Sequence, residues 1–104
     1  MKNKTYIVNA FTEKLASGNQ AGVVLTEDFL PERTMQDIAF DIGKAETAFI
    51  VRKDEIFHIR WFSPLKEMPL CGHATLAAAA VISETYGLTG ISFTYGRGLS
   101  LVRI

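Results

Sequence analysis

The sequence has little cysteine, no excess of either charge and no long apolar run. One cysteine in 104 residues excludes an internal disulfide and favours a reducing, cytoplasmic setting. Eleven basic residues balance eleven acidic ones without any block of like charge, which gives no electrostatic case for nucleic acid or an anionic membrane as partner. No window approaches ~20 apolar residues, and the apolar run after residues 1–6 is too short for a signal sequence. We therefore expect a soluble, cytoplasmic protein.

The composition is that of an ordinary folded domain. The chain is 48% hydrophobic and 21% charged, which is typical of globular proteins and unlike disordered ones. A chain of 104 residues can bury a real core without disulfides or metal sites. We predict a single domain over residues 1–104 and no metal site.

Short apolar or alternating segments predict six β-strands. They are residues 6–11, 21–25, 45–51, 56–62, 90–95 and 99–104. We expect the first two strands to be neighbours joined by a turn at residues 17–20, across Gly18 and Asn19. Residues 52–55 predict a polar turn, and residues 96–98 predict the turn of a hairpin. In the fourth strand, alternation places Phe57, Ile59 and Trp61 on one face.

The first predicted helix follows Pro31, a residue that suits the first turn of a helix. Its apolar residues recur at helical spacing, and Gly43 is a credible C-terminal cap. These apolar residues are Met35, Ile38, Ala39 and Ile42. The remaining positions are mostly charged or polar, so we expect this helix on the outside of the sheet.

The second predicted helix starts in the segment Pro69-Leu70-Cys71-Gly72-His73-Ala74-Thr75-Leu76 and ends near Gly87. No charge occurs from Ala74 to Ser83, and a helix that is apolar on every face is normally wrapped by protein. We expect this central helix to be held by four apolar side chains, which are Leu76, Ala77, Ala80 and Val81. The order of elements predicts an α+β domain with a mixed, strongly curved sheet packed around this helix.

The start of the second helix carries a thiol, a glycine and an imidazole, at Cys71, Gly72 and His73. Unpaired N–H groups and the positive end of the helix dipole point out of a helix at this end. The helix start is therefore a plausible anion site that opens on a cleft.

Four segments, in order, resemble the successive signatures of the N-terminal half of the phenazine-biosynthesis isomerase-like family. They are Gly18-Asn19-Gln20-Ala21, Glu46-Thr47-Ala48-Phe49, Arg60-Trp61-Phe62-Ser63-Pro64 and Pro69-Leu70-Cys71-Gly72-His73-Ala74-Thr75. The resemblance implies the diaminopimelate-epimerase-like fold, in which two pseudo-symmetric domains each roll a half-barrel sheet around a central helix. The active site of that fold lies between the domains, and this chain corresponds to the N-terminal domain only.

The resemblance also implies a function, which is cofactor-independent isomerisation or epimerisation of a small amino or hydroxy acid. By resemblance, Glu46 is the general acid/base and His73 is a second polar group that orients substrate or relays the proton. Taken alone, a strand-end glutamate is more often solvated, and a histidine at a helix start is more often a structural hydrogen-bonding residue. The motif favours the catalytic interpretation of Glu46.

Three further residues are candidates for binding a substrate carboxylate. Gly72 has no Cβ to keep a ligand from the backbone amides, although a turn alone also explains a glycine. Asn19 either hydrogen-bonds the carboxylate or holds its turn. A cysteine at the position of Cys71 is a thiol base in epimerase relatives, because a helix start lowers the pKa of a thiol, but in the phenazine-like branch packing is the better interpretation.

The chain departs from the family pattern at two positions and in extent. Gln20 stands where proline is usual, and Ala45 stands where serine is usual. The second domain is absent, and the apolar strand that ends at Ile104 resembles an unfinished sheet edge. We therefore expect a homodimer, or pairing with a separately encoded second domain, that acts on a small carboxylate substrate. The alternative is a truncated or remnant domain, dimeric and without turnover, that at most binds a small acid.

Overall fold

In the part of the chain that the structure describes, seven strands form one mixed sheet, and two helices pack on its opposite faces. The computed structural model describes residues 4–12, 15–54, 56–69, 71–96 and 98–103, with side chains described over residues 21–54, 56–69, 71 and 74–96. The elements are β1 (Lys4–Thr12), β2 (Leu15–Thr26), α1 (Glu32–Ile42), β3 (Glu46–Lys53), β4 (Ile56–Phe62), β5 (Glu67–Met68), α2 (Gly72–Tyr86), β6 (Gly90–Tyr95) and β7 (Gly98–Arg103). The predicted α+β class and mixed sheet are confirmed.

The strand order is β1-β2-β3-β4-β6-β7, and β5 pairs with β4 beside this path. Strands β1 and β2, β3 and β4, β4 and β5, and β6 and β7 pair antiparallel. The parallel pairs are β2 with β3 and β4 with β6. A parallel pair needs a crossover connection, and α1 and α2 supply the two crossovers.

Helix α1 covers one face of the sheet through the apolar stripe that its spacing predicts. Met35 and Ala39 are fully buried with Val24, Phe49 and Phe62. The helix ends where Gly43 adopts φ 71°, a left-handed conformation that glycine tolerates, and donates its N–H to the Ala39 carbonyl at 3.1 Å. The predicted outer position of this helix and its cap are confirmed.

Helix α2 covers the other face, where its small residues allow close contact with the strands. Most of its buried positions are alanines, together with Val81 and Ile82, and they pack against inward residues of β2, β3, β4 and β6. The helix ends at Gly87, as predicted. No helix in the described part of the chain has the length and apolarity needed to cross a bilayer.

The expectation that Leu76 and Ala80 hold α2 in place is wrong. Leu76 is 57% exposed and Ala80 is exposed, whereas Ala77 and Val81 are buried as predicted. Residues 76 and 80 are four apart, so they lie above one another on the side of the helix that faces away from the sheet. The lack of charge on α2 therefore does not mean that every side is buried within this domain.

The predicted turn at residues 17–20 is also wrong, because β2 runs through it. Asn19 pairs with Ala10 of β1 and Gln20 pairs with Asn9, so backbone pairing takes the place of a turn. An irregularity in register near Ala10 and Thr12 accommodates the longer ladder. The first two strands are neighbours, as predicted, and their pairing extends to Thr12 and Leu15.

Other boundaries differ by a few residues. Strand β3 continues to Lys53, and Asp54 takes φ 60° immediately after it. The short strand β5 was not predicted. Strand β4 and its alternation match the prediction, since Phe57, Ile59 and Trp61 share the core on the α2 face. Three predicted features, the turn at Glu55, the hairpin turn at Arg97 and the end of the last strand at Ile104, lie outside the described residues.

Candidate active site

Glu46 is the first residue of β3 and is half-buried. Alternate residues of a strand share a face, so Glu46 lies on the same face as Ala48 and Ile50, which pack in the core with α2. Its register partner in the parallel strand β2 is Ala21, which is 1% exposed. Glu46 therefore lies at the edge of the α2 core, where it is partly covered by protein and partly exposed to solvent.

The backbone beside Glu46 is fixed by a close packing contact on the opposite face. Thr47 is fully buried, and its register partner is Gly22. A Cβ on Gly22 would lie 3.0 Å from Thr47 Oγ1 and 3.1 Å from Ile42 Cγ2. Only glycine fits without movement of these neighbours. The Thr47 hydroxyl is buried without a hydrogen-bond partner among the described residues.

The start of α2 is tied to β4 by a chain of hydrogen bonds. The Trp61 indole N–H donates to Thr75 Oγ1 at 2.9 Å, and the Thr75 hydroxyl donates to the Cys71 carbonyl at 2.7 Å. The Thr75 backbone N–H donates to the same carbonyl at 3.1 Å. The sequence-based predictions did not include Trp61 and Thr75 among the site-forming residues. Two signals were available, a threonine four residues after the helix cap and a tryptophan on an inward strand face.

These contacts bring the start of α2 and Glu46 to the same end of the same sheet face. Trp61 is the register partner of Ala48, which is two residues from Glu46 along β3. Two residues of a strand span roughly 6–7 Å. The thiol residue Cys71 is half-buried and packs against the α2 core.

The remaining candidates are placed by the backbone. Gly72 and His73 are the first two residues of α2, and Asn19 lies in β2 two residues before Ala21. The side chains of Asn19 and His73 lie outside the described part of the structure, so their roles stay predictions. The first turn of α2 carries no acidic residue to oppose an anion, in contrast to Glu32 in the first turn of α1.

A pocket of about 670 Å³ opens on the far edge of β4, where β5 and β6 diverge. Its most prominent polar feature is Arg60. The guanidinium donates to both carboxylate oxygens of Glu67, from Nε at 2.7 Å and from Nη2 at 2.6 Å, and Nη2 also donates to Glu32 at 3.0 Å. The hydrogen bond to Glu67 is the main cause of a raised pKa for Arg60, with partial burial acting in the opposite direction. This pocket was not predicted from the sequence.

The curated proteins that this chain resembles are longer than the chain itself. The chain is 47% identical over 89 residues to the uncharacterized isomerase YddE of Escherichia coli K12, and the match covers 85% of this chain and 30% of that protein. It is 44% identical over 90 residues to the human phenazine biosynthesis-like domain-containing protein, covering 79% of this chain and 31% of that protein. The chain thus spans about a third of the length of these relatives.

Solved structures show the same fold. A phenazine biosynthesis protein of the PhzF family from Enterococcus faecalis matches all of this chain and 41% of its own chain, with a TM-score of 0.90 and 42% identity. A predicted epimerase from Pseudomonas aeruginosa, 22% identical, has the same fold with a TM-score of 0.84. The model of the phenazine biosynthesis-like protein family, PhzC-PhzF, matches residues 8–98, and the chain therefore belongs to that family.

Proposed function

We propose that this chain forms the N-terminal half of an isomerase or epimerase active site that moves a proton on and off a carbon atom of a small amino or hydroxy acid. The observation that supports the proposal is that β3 begins at Glu46 and that α2 begins near Trp61 of β4, which is the register partner of Ala48, at the same end of the sheet. Family membership supports it, since several relatives are named isomerases. No cofactor is needed for the proposed step.

In the proposed mechanism, the start of α2 binds the substrate and Glu46 transfers the proton. The N–H groups at the start of α2, at Gly72 and His73, bind the substrate carboxylate, because they have no partner within the helix and the dipole favours an anion. Glu46 accepts the proton from the adjacent carbon and returns it, at the same carbon or at a conjugated one. His73 orients the substrate or relays the proton, and Asn19 hydrogen-bonds the carboxylate.

Cys71 takes a packing role in this proposal. Cys71 packs against the α2 core, and its backbone carbonyl accepts two hydrogen bonds from Thr75. These contacts fix its position as the cap residue of the helix. We propose that Cys71 lines the substrate site without acting as a base.

The rest of the site is proposed to come from outside this sheet. We propose that the sheet curves around α2 as a half-barrel, that a second domain or a second copy of the chain closes the cleft over Glu46, and that the protein acts in the cytoplasm. The packing of α2 against β1, β2, β3 and β6 supports the curvature. Sedimentation should show a dimer at micromolar concentration, and a lone 11.5 kDa species would contradict self-association.

A chimera tests the proposed chemistry. Residues 1–98 would replace the matching segment of the Escherichia coli relative, and carbon-bound hydrogen exchange would be measured in deuterium oxide. The substrates would be the amino or hydroxy acids on which the intact relative exchanges a carbon-bound hydrogen with solvent. We expect the chimera to exchange the same hydrogen, and Glu46→Gln to reduce the rate by ~10²–10⁴-fold. Glu84→Gln, at an exposed position of α2, is the matched control and should leave the rate unchanged.

The isolated chain is expected to show weak exchange or none. A homodimer would present Glu46 twice, and two facing carboxylates compete for one proton, which suits an anionic substrate poorly. Strong Glu46-dependent exchange by the chain alone would establish a self-complementing enzyme. A folded chimera that exchanges nothing, beside an active relative, would instead favour the second candidate, a domain without turnover that at most binds a small acid.

A further inference from the structure

The pocket beside β4 lies at a division in the sheet. Strand β6 pairs with β4 at Phe57 and His58, and β5 pairs with β4 at Trp61 and Phe62. Because β3 occupies the other edge of β4, both strands must lie on the same edge, with residues 59–60 between them. The resulting opening of about 670 Å³ falls within the size range of small-molecule sites.

The two sides of this pocket differ in chemistry. Toward the α2 face it is lined by Trp61, Met68 and Tyr95, which pack against the main core, and the Trp61 and Tyr95 rings lie 5.3 Å apart, edge to face. Toward the α1 face it is lined by Arg60 and Glu67, with His58 Nδ1 hydrogen-bonded to the Thr94 hydroxyl. A ligand that fills the pocket therefore needs an apolar body and a polar end.

The charges at the polar side leave one carboxylate in excess. Arg60 is the only lysine or arginine among the described lining residues, and it is shared between Glu67 in the lining and Glu32, which lies outside the lining and has a 71% exposed side chain. With histidine counted as neutral, one positive and two negative charges sum to minus one. An anionic ligand would compete with Glu67 for Arg60 and meet this excess negative charge. A cationic ligand would complete the charge balance.

We propose that this pocket binds a small organic cation, an arylalkyl monoamine, with its flat ring against Met68 and Tyr95, next to the buried Trp61, and its ammonium group on Glu67. Aromatic rings pack favourably against one another, and an ammonium donates up to three hydrogen bonds. The Glu67 carboxylate has acceptor capacity beyond its two bonds to Arg60, and its side chain is 34% exposed. None of the residues proposed for proton transfer line the pocket, so this site goes beyond the proposed function.

The single tryptophan of the chain makes the pocket directly observable. The 104-residue chain would be titrated with phenethylamine, with the neutral 3-phenylpropanol and with the anionic 3-phenylpropionate, while Trp61 fluorescence and the indole N–H resonance are followed. We expect saturable binding of phenethylamine with Kd on the order of 1 mM or tighter. It should exceed the affinity of 3-phenylpropionate by ~10-fold or more.

Substitutions identify the charged group that makes the pocket prefer a cationic ligand. Glu67→Gln should weaken phenethylamine binding by ~10-fold and leave 3-phenylpropanol binding unchanged. Glu84→Gln, on α2 outside the lining, is the matched control and should change neither. Tyr95→Leu leaves the Arg60 ion pairs in place and should weaken phenethylamine binding, which keeps the proposal testable should Glu67→Gln unfold.

Three results would overturn the proposal. The first is the absence of saturable phenethylamine binding up to roughly ten times the expected Kd. The second is equal or tighter binding of 3-phenylpropionate. The third is a preference for the amine that survives in folded Glu67→Gln, because the selectivity would then come from another group.

Discussion

The two helices cover opposite faces of one sheet, and they differ in how each begins. Helix α1 follows Pro31, has Glu32 in its first turn and packs through a narrow apolar stripe. Helix α2 begins at Gly72 after its cap residue Cys71, has no acid in its first turn and is joined to β4 through Thr75. An acidic first turn complements the dipole of α1 within the chain, whereas the first turn of α2 has no such residue. Helix α1 therefore covers the sheet, and the proposed function assigns anion binding to the start of α2.

The largest expected effect is on the free energy of unfolding, which should differ between substitutions on the buried side and on the exposed side of α2. Ile82 is fully buried in the main core, and Ile82→Ala should lower the free energy of unfolding by ~2–5 kcal/mol. Leu76→Ala, on the exposed side of the same helix, should cost less than ~1 kcal/mol. Urea unfolding of both variants measures the difference. Equal losses would mean that the open side of α2 is covered in the protein studied.

The second effect tests whether the start of α2 is held by its link to β4. Thr75→Val removes the acceptor of the buried Trp61 N–H and should cost ~1–3 kcal/mol of unfolding free energy. Thr75→Ser keeps the hydroxyl, so most of the stability should return. The Trp61 indole N–H resonance should shift in the valine variant and not in the serine variant. Full stability of Thr75→Val would show that the link contributes nothing.

The third effect concerns the strand end that carries Glu46. Gly22→Ala would crowd Thr47 and Ile42, with an expected cost of ~1–3 kcal/mol by thermal or urea unfolding. Gly90→Ala is the matched control, because a Cβ there meets nothing within 4 Å, and it should be nearly neutral. If both substitutions were neutral, the packing beneath Glu46 would be looser than described.

The smallest effect lies on the outer surface of α1. Phe40 is 63% exposed, and Phe40→Ser should change the unfolding free energy by no more than ~0.5 kcal/mol. A loss of several times that size, measured by urea unfolding, would indicate that α1 is covered by another surface and would weaken the contrast between the helices.

Sequence patterns predicted α1 well because each of its signals is local. The spacing of Met35 and Ala39 sets the buried stripe, and Pro31 and Gly43 mark the ends. Strand β4 was predicted for the same reason, since alternation along one strand shows which side chains face the core. The start and the C-terminal cap of α2 followed from Cys71 and Gly87.

The errors arose where distant segments decide the outcome. Gly18 and Asn19 favour a turn locally, but pairing with β1 keeps them in β2. Leu76 is apolar, yet its exposure depends on where the sheet stops. The Arg60–Glu67–Glu32 group and the pocket beside it depend on β5 and β6 meeting the same edge of β4, which no local pattern encodes.

The proposed function requires that the start of α2 and Glu46 share one anion site. The most direct measurement is an amide NMR titration of the chain with acetate, with acetamide as the neutral control. We predict saturable shifts at Gly72 and His73 and none at the start of α1, with binding tightened ~3-fold or more by Glu46→Gln, which removes a nearby negative charge. Equal shifts at both helices, or no change in acetate affinity in Glu46→Gln, would contradict the claim.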